Sequence, residues 1–258
     1  MILHYEIAEL EPYINWPYFF FAWQLRQQEE QERMRREAEQ KLQELAGRYR
    51  AHALFLLLDA HSDGDDIVVS TGKRIPLLRQ QKGNPCLCLA DFVSPDNDKV
   101  GVFATSADIG LETDFDGDPY EKMLVQLLAD RLAEAAAEKM HEDVRRHYWG
   151  YAKDEALSMA DLHAERFQGI RPAVGYPSLP DTSLNFVLDE LLDLKQIGIR
   201  LTESGAMRPH ASVSGLMLSH PQARYFSLGK IGNDQLSDYA RRRGLPIEVI
   251  KKFLAANL

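Results

Sequence analysis

Arg171 and Tyr176 stand in the stretch Gly169-Ile170-Arg171-Pro172-Ala173-Val174-Gly175-Tyr176-Pro177, whose prolines and glycines exclude a regular helix or a central strand. What is left is a stiff, extended loop. A guanidinium fork and an aromatic edge on a rigid support suit a small ligand with a carboxylate and a flat ring. From this loop alone, a structural connector with a surface arginine is an equally open reading. Two further words are read with it: Leu201-Thr202-Glu203-Ser204, and His220-Pro221-Gln222-Ala223-Arg224-Tyr225-Phe226.

Three other groups of residues have types that carry chemistry. Asp130, Glu134, Glu138 and His141 follow one another at helical spacing, which puts them along one edge of a helix. Such an edge either faces solvent or, beside a cleft, receives an ammonium or sulfonium cation. Asn15 precedes an aromatic helix, where a short polar side chain caps free N–H groups or reaches outward to a ligand. Asp59-Ala60-His61-Ser62-Asp63-Gly64 spells D-x-H-x-x-G, a signature in which histidine ligates cobalt in one class of corrinoid-binding domains. That class also needs a Gly-Gly pair on a doubly wound sheet. The chain has no such pair and no repeated strand–helix alternation, so a polar hairpin turn explains the match.

These residues need elements to hold them. Trp16, Phe19, Phe20 and Trp23 recur at helical spacing after Pro17 and read as core. From Arg26 to Tyr49 a charge-dense helix carries the stripe Met34, Ala38, Leu42 and Leu45, with Glu37 and Lys41 as a supporting pair. Residues 53–71 read as strand, turn, strand, and Val100 to Thr105 as a further strand. Cys88, Ala90 and Phe92 alternate with Leu87, Leu89 and Asp91, which predicts a strand with Cys86 and Cys88 as small core residues on one face. The strongest helix runs over 119–148, and a shorter one capped by Ser158 puts Leu162 and Phe167 on its apolar side. A helix near 183–196 and strands at 199–202, 212–218 and 225–231 follow. Two short helices then form a small unit over about 233–258.

Composition narrows the function classes. At 258 residues, with 45% hydrophobic and 27% charged residues, the chain reads as one globular domain over 1–258. A net charge of −9 argues against nucleic acid as a partner. No apolar run approaches the roughly 18 residues of a membrane span, and the N-terminus has no basic region followed by an apolar one. Two cysteines one residue apart build neither a disulfide framework nor a thiolate zinc site, so no metal site is expected within the chain. The expected compartment is reducing, hence cytoplasmic.

The longer words belong together. Tyr13-Ile14-Asn15-Trp16 with Phe19-Phe20 and Trp23, Cys88 to Val93, Leu128 to Ala135, Tyr148 to Ala152 and Gln168 to Pro177 occur in that order. Leu201 to Ser204, Ala206-Met207, Ala211 to Gly215, His220-Pro221, and Asp234-Gln235 with Asp238 to Arg242 follow. Together they make a chain that closely resembles the activation domain of cobalamin-dependent methionine synthase, which binds S-adenosylmethionine. The resemblance spans nearly the whole chain, with 26–50 and 106–118 divergent. It implies an α+β fold, a bent and mainly antiparallel sheet flanked by helices. It also implies a role in reductive methylation of cob(II)alamin to methylcobalamin, with the cobalamin held by a partner module or a truncated methionine synthase chain and the electron supplied by a flavodoxin-type donor.

Carried over by position, the resemblance makes Arg171 the anchor of the ligand's carboxylate and Tyr176 a wall of the methyl-donor site. Ala173 lies between them on the same loop. Tyr225 and Phe226 are the aromatic pair that meets the ligand, Glu134 an acid facing the groove, and Asp130 an acid directed at the cobalamin module. Asn15 stands where the family commonly has an aspartate for the ligand's ammonium group. Leu179 and Thr182 replace the family's usual Cys and His. Two rival readings follow from these departures: a binding or regulatory module that does not complete transfer, and a reactivation factor for another corrinoid protein.

Overall fold

The computed structural model describes all 258 residues. It opens with β1 (Ile2–Glu6), a short helix α1 (Ile7–Leu10), and the helices α2 (Trp16–Ala22) and α3 (Gln28–Leu45). Then come β2 (Arg50–Asp63), β3 (Asp66–Val69), β4 (Arg74–Pro76), β5 (Asp98–Ala107), α4 (Gly110–Thr113) and the long α5 (Pro119–Asp143). The second half holds α6 (Met159–His163), α7 (Leu184–Leu192), β6 (Arg200–Leu201), β7 (Met207–Arg208), β8 (Ser212–Met217), α8 (Asn233–Arg243) and α9 (Ile247–Phe253).

The sheet runs in the order β4-β3-β2-β5-β8, every pair antiparallel, with β1 beside the first half of β2. It curls into a half-barrel, so the fold is α+β with a bent antiparallel sheet and flanking helices. Both of its faces are covered. Ala53, Phe55, Phe103 and Met217 pack under α5 and α3, while Leu54, Val102, Ala104 and Leu216 pack on the opposite face with α7. A strand buried on both faces reads as a continuous apolar run, which is why 53–58 lacks alternation. A third cluster joins α8 and α9 through Leu236, Tyr239 and Ile250.

α5 crosses the sheet closely because its inner face is built from small side chains: Ala129, Ala133, Ala136 and Ala137 are all fully buried. Asp118 caps it, accepting from the N–H groups of Tyr120 at 2.8 Å and Glu121 at 3.4 Å. Thr105 of β5 donates to the Ala133 carbonyl at 2.9 Å and fixes the helix against the strand. The stripe Met34, Ala38, Leu42 and Leu45 of α3 is buried as its spacing predicts.

Several expectations fail for identifiable reasons. Residues 89–92 form a 3₁₀ turn, not a strand, because the Asp91 carboxylate accepts the Cys88 N–H at 2.8 Å and is itself clamped by Arg79. Cys88 is buried, but Cys86 is half-buried and outside the core. Tyr225 to Ile231 is irregular chain, because the β8 edge it would pair with is already occupied by residues 170–174. α6 ends at His163, so Phe167 packs from the following loop, edge-on to His141 with ring centroids 5.1 Å apart. Lys41 pairs with Glu44 and Glu121 instead of Glu37.

Candidate functional site

The loop carrying Arg171 is an added edge of the sheet. Val174 donates to Ser214 at 2.9 Å, Leu216 donates to Pro172 at 3.0 Å, and Ile170 and Leu218 exchange both bonds at 2.9 and 3.0 Å. This approach needs Gly215, since a Cβ there would sit 2.1 Å from the Pro172 carbonyl oxygen. It also needs Gly169, whose φ of +84° is left-handed and whose Cβ would meet the Leu218 oxygen at 2.4 Å. The backbone of the loop is thus fixed before any ligand arrives.

Arg171 then points across the sheet end towards α5. Its guanidinium lies over the Phe103 ring at 5.6 Å and bonds the Glu138 carboxylate. Burial opposes the charge of Arg171, but Glu138, Tyr225 and Glu134 outweigh it and hold the pKa above the usual arginine range. The pair is not saturated: Arg171 Nε and Glu138 Oε2 are buried without a partner. Buried polar atoms in native proteins rarely go unpaired. One turn earlier on α5, Glu134 accepts the Tyr176 hydroxyl at 2.8 Å. The Tyr225 hydroxyl accepts the Arg171 backbone N–H at 2.9 Å, and burial pushes its pKa up to about 12.

These side chains enclose an open groove of about 640 Å³. The α5 wall supplies Arg131, Glu134 and Glu138, and the loop supplies Arg171, Ala173, Tyr176 and Ser178. The opposite lip comes from Tyr13, Asn15 and Tyr18, and the ends from His163 and Glu165 and from Tyr225 to Ser227. All seven residues assigned to the ligand from the sequence therefore meet in one place. Asn15 does not cap α2 with its side chain. The N2 position is Pro17, which has no N–H to cap, and the free amide lines the groove instead.

The model of a family described as vitamin B12 dependent methionine synthase, activation domain, matches residues 6–244. This chain belongs to that family. Among solved structures, the MetH reactivation domain bound to AdoHcy superposes with a TM-score of 0.93 at 37% sequence identity, covering 100% of this chain and 90% of that one.

In this activation domain, the acidic edge read from α5 splits into three environments. Glu134 and Glu138 face the groove. Asp130 lies outside it, 3.4 Å from His210, with its pKa raised chiefly by burial. His141 is fully buried beneath the groove, where Arg145 donates to its Nδ1 at 2.9 Å. Burial, with the cations Arg145 and Arg171 nearby, holds its pKa well below 6.5, so the ring is neutral. Leu179 packs into the core on the far side of the sheet, and Thr182 is tied to the Ser204 carbonyl at 3.5 Å; neither lines the groove.

Among the groove residues with no role in the sequence-based site are two acids, Glu138 and Glu165. Glu138 carried a signal, its position one turn from Glu134, but its pairing with Arg171 depends on the fold. Glu165 carried none. It sits after α6 with a left-handed φ of 55°, and burial and Glu138 raise its pKa.

Proposed function

We propose that this activation domain binds S-adenosylmethionine in the groove and presents its methyl group to a cobalamin held by a partner module, supporting reductive methylation of cob(II)alamin to methylcobalamin. The observation that carries the reading is the Arg171–Glu138 pair with its two unpartnered atoms, set among the aromatic residues Tyr176, Tyr225 and Phe226. The charge balance agrees. Glu134, Glu138 and Glu165 against Arg131 and Arg171 leave the lining one negative charge in excess, and the ligand's sulfonium, ammonium and carboxylate sum to one positive.

The residues have distinct tasks. Arg171 takes the carboxylate through a charge-assisted bond while Glu138 keeps the guanidinium oriented. Asn15 accepts from the ammonium group. Tyr176, held by Glu134, forms the wall beside the sulfonium, and Tyr225 with Phe226 covers the adenosyl portion. Cobalamin on the partner module, reduced by one electron from a flavodoxin-type donor, would supply the nucleophile, and S-adenosylhomocysteine would leave as the neutral thioether. The sulfonium is already a good leaving group, so this chain contributes alignment and no proton transfer. No helix is long and apolar enough to cross a membrane; we assign the domain to the cytoplasm with its partner.

Calorimetric titration with S-adenosylmethionine tests the reading. Saturable one-to-one binding that Arg171→Ala abolishes, with the variant still folded, is the expected result. No saturation up to millimolar ligand sinks it. Asn15 favours one second reading, a ligand-binding regulatory module, because an amide offers no charge to the ammonium group. Transfer of a labelled methyl from S-adenosylmethionine to cobalamin on the partner module separates the two.

A further inference from the structure

A second groove, of about 720 Å³, opens at the other end of the sheet and shares no residue with the first. One wall is the β1–β2 pair, where His4 and His52 are direct cross-strand partners with their Nδ1 atoms 2.7 Å apart. Another is the β6–β7 pair, where Arg200 and Arg208 are direct cross-strand partners. Lys195 reaches in from the turn before β6.

Like charges directly opposite each other on neighbouring strands destabilise the pairing. A fold normally relieves that with nearby carboxylates, and the rest of this chain is rich in ion pairs. Here there is no such relief. Arg200, Arg208 and Lys195 make no ion pair, although the protein carries a net charge of −9. The one acid in the groove, Asp108, is already engaged on both oxygens, by His52 Nε2 at 2.7 Å and by the Arg50 N–H at 2.6 Å.

We propose that this groove is a second ligand site, for a small multivalent anion bearing phosphate groups. Three uncompensated cations converging on one concavity give charge-dense recognition that a single carboxylate does not need. The volume lies in the range of small-ligand sites, and the concave shape disfavours the surface of an acidic protein. Three cations in an otherwise acidic molecule are too few for a nucleic-acid backbone.

Isothermal titration of the whole chain with inorganic pyrophosphate, and separately with a nucleoside triphosphate, tests the proposal at about 0.15 M salt, where weak surface attraction is screened. The expected result is saturable one-to-one binding that weakens by about tenfold or more in Arg200→Ser/Arg208→Ser. Both arginines are exposed, and a thermal midpoint no lower than that of the wild type shows that the variant is folded. Equal affinity for the two probes assigns the site to phosphate groups alone, and tighter binding of the nucleoside triphosphate assigns it to a nucleotide. Absence of saturation at about 10 mM, a concentration matching very weak affinity, overturns the proposal, as does binding that the double variant leaves unchanged.

Discussion

Replacing Glu138 by Gln removes the counter-charge of Arg171 while keeping the shape of the side chain. Arg171 is only 8% exposed and Glu138 20%, so the guanidinium that remains is poorly hydrated. Breaking a fully buried pair costs about 3–5 kcal/mol, and the retained amide acceptor and partial exposure reduce this to about 2 kcal/mol. For a chain of this size, about 2 kcal/mol lowers the unfolding midpoint by roughly 4–8 °C. A ligand carboxylate supplies the missing negative charge, so S-adenosylmethionine stabilises Glu138→Gln more than it stabilises the wild type. A gain of about 1 kcal/mol in that difference corresponds to roughly fivefold tighter binding. Thermal unfolding of both proteins with and without saturating ligand measures both effects. An unchanged midpoint without ligand refutes the pairing. A ligand that no longer stabilises the variant shows that Glu138 binds the ligand's cationic part directly, and the assignment of roles within the pair is then wrong.

Other perturbations address the rest of the site. Asn15→Asp adds a charge facing the ammonium group and tightens S-adenosylmethionine binding by about 1–2 kcal/mol, or roughly 5–30-fold; unchanged affinity by calorimetry removes Asn15 from the site. Gly215→Ala forces its new Cβ against the Pro172 carbonyl, costs about 1–3 kcal/mol of stability and displaces Arg171 enough to weaken ligand binding. Gly117→Ala, with nothing within 4 Å, is the neutral control, and equal effects at the two glycines contradict the loop geometry. His141 is neutral when folded but takes up a proton near pH 6.5 when unfolded, so stability present above pH 6.5 is lost as the pH falls towards the much lower folded-state pKa. The slope is at most about 1.4 kcal/mol per pH unit, and a difference in stability between wild type and His141→Gln that stays constant across this window refutes it.

It was the resemblance that drew Asn15, Glu134, Arg171, Ala173, Tyr176, Tyr225 and Phe226 together in the sequence, and local chemistry alone gave only a rigid loop and an acidic helix edge. The prolines and glycines around Arg171 and Tyr176 already demand a rigid extended loop, and the one-turn spacing of Glu134 and Glu138 already puts both on one helix edge. What the sequence concealed was decided over long range. Residues 225–231 read as a strand until residues 170–174 are seen on the β8 edge. Asn15 has the residue type of a cap, yet its side chain makes no cap bond and lines the groove. His141 shares the spacing of the acidic edge, yet it turns under the sheet end to meet Arg145 and Phe167. Glu165 owes its place to a left-handed residue after a short helix, which no composition rule marks.

A crystal structure of this chain with S-adenosylmethionine or S-adenosylhomocysteine tests the central claim most directly. The account predicts the ligand in the groove between α5 and the loop at 169–177. Its carboxylate should lie within hydrogen-bond distance of the Arg171 guanidinium, its amine beside Asn15, and its sulfur beside Tyr176. A ligand bound elsewhere, or seated in this groove with its carboxylate away from Arg171, contradicts the account.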